Sequence, residues 1–267
     1  MGPPPGSSPP PEHVRAAFGV REEEADPLDQ GPVWRCGEVV LKRVASTAEA
    51  AWIAQTLDGL HVDDVRVPRP LRSTDGRWVV SGWAASRYVS GRVEPRHDEV
   101  VGVAQRLHAA TAHLARPGFL ADRDDMYAVA DAAAWGEAEP ELPLDSGGTT
   151  FARLAGARRP VALSPQIVHG DLFGNVLFAG SAPPAVIDFT PYWRPPEWAA
   201  AVVVVDALAW GGADPGLPRR WSALDEWPQV LLRALLFRLA VHALHPRSTV
   251  QSLAGLHRAT TQVSELL

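Results

Sequence analysis

One stretch, IVHGDLFGNVLFAGSAPPAVIDF (residues 167–189), constrains this chain more than any other. Its apolar runs, Ile167-Val168, Val176-Leu177-Phe178 and Ala185-Val186-Ile187, are too brief for helices. Glycine, proline and polar residues separate them, the pattern of short strands joined by tight loops. If the stretches at about 174–178 and 185–189 pair as a hairpin, Asp171, Asn175 and Asp188 meet at one end of it. Two carboxylates and an amide oxygen brought together make an oxygen-rich site suited to Mg²⁺. A carboxylate left off the metal can accept a proton from a hydroxyl.

Composition sharpens this reading at two positions. Of 25 lysines and arginines, only Lys42 is lysine, and Asn175 is the one asparagine of the chain. A background that disfavours both types makes the two survivors candidates for chemical need. The bland readings are a solvated strand-edge lysine and, for Asp171 and Asp188, turn or cap residues.

The 267 residues are 46% hydrophobic, enough for one large domain or two lobes. A net charge of −6 gives no basic surface for nucleic acid or an anionic membrane. No apolar run is long enough to span a bilayer, no signal-peptide core is present, and the single Cys36 forms no internal disulfide. The expected location is cytoplasmic, as monomer or homodimer.

Residues 1–11 are rich in proline, glycine and serine and are expected to be a disordered lead-in. A short amphipathic segment, 12–18, opens the fold, and VWRCGEVVLKRV (33–44) reads as a hairpin broken near Cys36-Gly37. STAEAAWIAQTLDGL reads as a helix with a Ser46–Glu49 capping box and an apolar face of Trp52, Ile53 and Leu57. RSTDGRWVVSGW and ASRYVSGR read as further strands, with a turn at Asp75-Gly76. From Glu94 onward helical spacing dominates, at 98–114, 198–210, 228–244 and 250–267. The expected fold class is α+β: a small β-rich lobe over 12–90, then a larger, mainly helical lobe over 91–267.

HGDLFGN followed by VIDF resembles the signature of the aminoglycoside phosphotransferase and choline-kinase-like families, which share a bilobal protein-kinase-like fold. VVLKRV, AEAAW, VPRP, SRYVSG and AQRLHAAT follow the same order, so the resemblance covers nearly the whole chain past residue 12. PAVIDFTPYWRPPEWAAAVVVVDAL resembles an actinobacterial branch. The resemblance implies ATP and Mg²⁺ as cofactors and a small-molecule hydroxyl as acceptor. It implies Asp171 as the base, Asn175 and Asp188 as metal ligands, and Lys42 on the nucleotide phosphates with Glu49 as its ion-pair partner. It also implies Tyr88 and Val89 beside the adenine and His169 as a brace for the catalytic loop. Glu49 is equally explained as the capping partner of Ser46, and His108 as a packed helix residue.

Two departures qualify the pattern. The kinase signature HRDxxxxN spaces its asparagine five residues after the aspartate, whereas Asn175 follows Asp171 by four. The expected phosphate-covering loop, PLDQGPVWRCG, offers only Gly31 and Gly37, and Pro32 has no N–H to donate. These departures motivate an alternative, a catalytically silent kinase-like nucleotide- or ligand-binding protein. A metal-dependent phosphoester hydrolase ranks last because it leaves Lys42 unexplained. Glu197, Asp206, Asp225 and Glu226 are either attractors of a cationic acceptor, such as an aminoglycoside or other amino compound, or ordinary helix charges.

Overall fold

A computed structural model describes residues 8–28 and 32–267. In chain order the elements are α1 (Glu12–Ala17), β1 (Ala25–Pro27), β2 (Val33–Cys36), β3 (Val39–Arg43), α2 (Thr47–Gly59), β4 (Pro70–Leu71), β5 (Val79–Val80) and β6 (Trp83–Arg87). Then follow α3 (His97–Thr111), α4 (Met126–Trp135), α5 (Gly148–Ala155), β7 (Gln166–His169), β8 (Val176–Ala179), β9 (Ala182–Val186) and β10 (Pro191–Arg194). The chain closes with α6 (Pro196–Ala209), α7 (Leu217–Arg220), α8 (Trp227–Leu244) and α9 (Val250–Ser264). It divides into two compact units, 1–92 with 177–187, and 93–176 with 188–267.

The first unit is an antiparallel sheet in the order β1-β2-β3-β6-β4, with β5 also paired to β6. Side chains alternate along β2 and β3, so Trp34, Cys36, Val39 and Leu41 are buried while Arg35, Val40 and Lys42 are less so. Trp83 and Ala85 of β6 join that buried face, which Val14 of α1 and Phe18 just after it cover. Of the lead-in, residues 1–7 lie outside the described part; Pro10 is buried, and the Pro11 carbonyl accepts the Val14 N–H. The β5–β6 hairpin turns at Ser81-Gly82, both with positive φ (49° and 78°) as a type I′ turn requires. The turn expected at Asp75-Gly76 exists but closes no strand pair, because β4 and β5 each pair with β6. In α2 the buried positions are Ala50 and Ala54, while Trp52, Ile53 and Leu57 are only half-buried. The small side chains let the helix sit close, so bulk alone misjudged its inner face.

The segment 177–187, read from sequence as part of the helical lobe, makes its contacts in this first unit. Arg92 and Phe178 exchange backbone hydrogen bonds, and Arg66 does the same with Pro184 and Val186.

The second unit is built around α6 and α8. Residues Trp198–Ala209 of α6 are buried throughout, and α8 buries Leu231, Leu232, Leu235, Leu236 and Leu239. A helix that is apolar on every side belongs inside, and α3, α4, α5 and α9 pack around this pair. Each fully buried Val or Leu contributes about 1.5–3 kcal/mol. The strand β10 pairs antiparallel with β7, His169 opposite Pro191 and Gln166 opposite Arg194. The sequence reading contained no strand at 191–194.

Candidate active site

The loop after β7 is held from several directions. Gln166 Nε2 donates to the His108 carbonyl (2.6 Å), and Thr111 Oγ1 donates to the Ile167 carbonyl (2.8 Å), fastening β7 to α3. His108 Nε2 accepts the backbone N–H of His169 at 3.0 Å, and His169 Nδ1 accepts the N–H of Asp171 at 3.2 Å. Burial, with His169 nearby, pulls His108 down to about 3, so it is neutral. Gly170 has no room for a side chain, because a Cβ there would run into the ring of Tyr192.

The short spacing to Asn175 is absorbed by a tight turn. The Asn175 N–H donates to the Leu172 carbonyl (2.9 Å), with Gly174 at φ +84° in the position where a type II turn needs glycine. Leu172 is fully buried beneath it. Asn175 Nδ2 then donates to the Asp171 carbonyl at 2.7 Å and lies 3.4 Å from Asp171 Oδ2. With its NH₂ so used, the amide offers Oδ1 as an acceptor.

Asp171 itself is anchored from below. Arg238 of α8 donates from Nη2 to Asp171 Oδ1 at 2.7 Å, and from Nε to Asp206 Oδ1 of α6, also at 2.7 Å. Nη2 is shared with Asp206 Oδ2. The side chains of Arg238 and Asp206 are 9% and 1% exposed, whereas that of Asp171 is 46% exposed. Burial acts to lower the Arg238 pKa, but the carboxylates of Asp206 and Asp171 outweigh it and hold the guanidinium firmly protonated. Burial pushes the Asp206 carboxyl up to about 6, Arg238 pulling the other way. Asp206 is therefore a buried partner of arginine and not a surface attractor of cations, which corrects that expectation. The sequence reading missed Arg238. The available signal was charge inside apolar helices, AVVVVDALA and LLRALLFRL, since such groups must find partners.

Asp188 is exposed and has φ +51°, an uncommon value for a non-glycine residue that aspartate tolerates. Thr190 Oγ1 donates to its carbonyl (3.0 Å), and the next ring, Phe189, is buried edge-on against His169 at 5.3 Å. Among the described residues no three His, Cys, Asp or Glu side chains gather as a metal cluster. Asn175 and Asp188 each carry an oxygen donor of the hard kind that Mg²⁺ takes.

A cavity of about 460 Å³ in this unit is lined by Arg116, Arg123, Asp131, Glu137, Tyr192 and Arg194 among others. Tyr192, whose ring lies on Gly170, forms part of its wall. Arg194 reaches Asp131 (2.8 Å) and Glu137 (2.7 Å), so much of the lining charge is internally neutralised.

In the first unit Lys42 sits on β3 opposite Val33 and Ala84, half-buried on the sheet face away from the Trp34–Leu41 core. Ser46 Oγ caps α2 by accepting the Glu49 N–H (3.2 Å), which is one half of the expected capping box. The Glu49 carboxylate enters no ion pair among the described residues. Tyr88 and Val89 follow β6 half-buried; the Tyr88 N–H donates to the Glu38 carbonyl (2.9 Å), and Arg35 stacks 3.8 Å over its ring. Gly37 forms the β2–β3 turn, and Gly31 lies outside the described residues.

A sheet-rich unit, a helical unit and an Asp–Asn loop after a short strand define a protein-kinase-like fold. Residues 33–193 match the phosphotransferase enzyme family (APH), and the chain belongs to that family. Among solved structures, a microcompartment-associated aminopropanol kinase aligns with TM-score 0.58 at 17% identity, over 95% of this chain and 94% of that one. Spectinomycin phosphotransferase APH(9)-Ia, in complex with ADP and spectinomycin, aligns with TM-score 0.61 at 11% identity, over 96% and 97%. A choline/ethanolamine kinase family protein from Mesorhizobium loti gives TM-score 0.55 at 18% identity, over 94% of each chain. At these identities the likeness is one of fold. No curated protein matches the sequence. No helix among the described residues is long and apolar enough to cross a membrane.

Proposed function

We propose that this chain is a kinase that moves the γ-phosphate of ATP to a hydroxyl of a small molecule, with Asp171 as the base. The observation that carries the reading is the state of Asp171: a half-exposed carboxylate fixed on a buried guanidinium, with Asn175 folded back on its carbonyl. The acceptor O–H gives its proton to Asp171 Oδ2, the acceptor oxygen bonds to the γ-phosphorus, and the bond to the β-phosphate oxygen breaks to leave ADP. Asn175 and Asp188 would hold Mg²⁺, which when bound neutralises charge on the nucleotide phosphates. Lys42 would meet the phosphates as a compact cation, and Tyr88 and Val89 the adenine. The polar cavity walled by Tyr192, the ring that lies on Gly170, is a candidate place for part of the acceptor. The Glu49 carboxylate, in no ion pair among the described residues, favours a second reading, a nucleotide-binding protein without turnover.

One experiment separates the two. ADP formation is followed by a coupled assay over a panel of amino alcohols and aminosugars, alongside nucleotide-induced thermal shifts with and without Mg²⁺. A kinase forms ADP, and Asp171→Asn abolishes that while keeping the ATP shift. A shift without ADP formation for any acceptor selects the silent reading, and unchanged turnover in Asp171→Asn removes the assigned base.

A further inference from the structure

We infer that Arg238 is a positioning residue for the proposed transfer, and that Asp206 acts through it to fix which oxygen of Asp171 faces the acceptor. The inference rests on the kinase reading above and concerns residues to which that reading gives no role.

A guanidinium inside the buried helix α8 is costly, and a buried ion pair is weak evidence of stability because apolar side chains of similar volume often serve as well. If Arg238 served only to fasten α8 to α6, its two-pronged grip on Asp206 would suffice. A further bond leaves the helix pair and ends on the half-exposed Asp171. That bond has a stereochemical consequence. The terminal torsion of an aspartate is broad and nearly two-fold, so a free carboxylate does not distinguish its oxygens. Here Oδ1 is held at 2.7 Å by Arg238, while Oδ2 has only a long 3.4 Å approach from Asn175 Nδ2. Oδ2 is left as the oxygen able to take a proton.

The support beneath is rigid. The Arg238 guanidinium lies 5.1 Å from the Phe237 ring, which packs edge-on to Tyr192 at 5.8 Å. Tyr192 in turn presses on Gly170, so the backbone before Asp171 and the cation below it rest on one aromatic cluster. His169 Nδ1 holds the Asp171 N–H from the remaining side. Lysine cannot replace Arg238, because a single ammonium has no planar fork to span both carboxylates.

The test uses the full chain and ADP release from Mg·ATP, with the acceptor panel and with water alone as acceptor. Arg238→Lys, Arg238→Ala and Asp206→Asn are compared with the parent, and melting curves establish which are folded. Each folded variant is expected to lose about 10- to 100-fold in kcat, the cost of a small misplacement. KM for ATP should stay within about twofold, as for an interaction made only in the transition state. Free guanidinium should partly restore Arg238→Ala. If Ala does not fold, Lys, which keeps the stem and charge, carries the test. A folded Arg238→Lys with parental kcat, or a loss confined to KM for ATP, overturns the inference alone. A parent that forms no ADP with any acceptor overturns the kinase reading and this inference with it.

Discussion

His108, in the last turn of α3, accepts the backbone N–H of His169 through Nε2 at 3.0 Å, and both side chains are almost fully buried. One buried imidazole thus satisfies the last residue of the strand that leads into the loop bearing Asp171. This acceptor role needs the neutral ring, because a protonated ring has only donors. Its pKa, lowered by burial to about 3, keeps it neutral in the folded protein. The unfolded chain, with an ordinary value of 6.5, takes up the proton first. Stability should therefore fall as pH drops below about 6.5 and level off near 3, where the folded form also protonates. Urea midpoints measured in steps from pH 7.5 to 4 check this, and His108→Leu should flatten that part of the slope. The same variant removes the Nε2 acceptor of the His169 N–H and should cost about 1–3 kcal/mol at pH 7.5.

Gly170→Ala tests the close approach at the loop. The added methyl meets the Tyr192 ring, itself packed against Trp198 and Phe237, so the backbone must shift instead. The expected outcome is a loss of about 1–3 kcal/mol by chemical denaturation, as for other overpacked sites. Turnover should fall further than stability, because the next residue is Asp171.

Arg194 and Asp131 form a second ion pair, 13% and 14% exposed. Burial raises the Asp131 carboxyl pKa against the pull of Arg194, so removal of the arginine leaves a poorly solvated acid. Arg194→Met should cost about 3–5 kcal/mol, whereas Asp131→Leu with Arg194→Met should cost clearly less. A double-mutant cycle by urea unfolding reads the coupling.

Lys42→Arg keeps the charge and changes its shape. If Lys42 meets nucleotide phosphates as a compact ammonium, the larger fork should misfit between Val33 and Ala84. The stabilisation by saturating Mg·ATP, about 2.7 kcal/mol at a hundred times Kd, should drop by more than half while the ligand-free melting temperature holds. An undiminished ATP-induced shift would remove Lys42 from the nucleotide site.

Local signals carried much of the architecture into the sequence. The 33–44 run shows two β-rich stretches around Cys36-Gly37, and the structure has a hairpin there. The apolar lengths of α6 and α8 mark them as buried helices before any packing is known. Spacing and type also singled out Asp171, Asn175 and Asp188 as candidates for a shared chemical role, with turn or cap residues as the rival reading.

What the sequence by itself determined was the kind of the longer elements, such as α3, α6, α8 and α9, and the candidate chemistry of the loop. Only the tertiary structure decided which buried partner holds Asp171, which turn closes the β5–β6 hairpin, and where 177–187 makes its contacts. The first and the last of these depend on pairing between residues far apart in the chain. Asp171 and Arg238 stand 67 positions apart, and no local propensity links them. The apolar environment of α6 and α8 does, by making an unpaired charge at Asp206 or Arg238 too costly, and the Arg238 guanidinium so held also reaches Asp171.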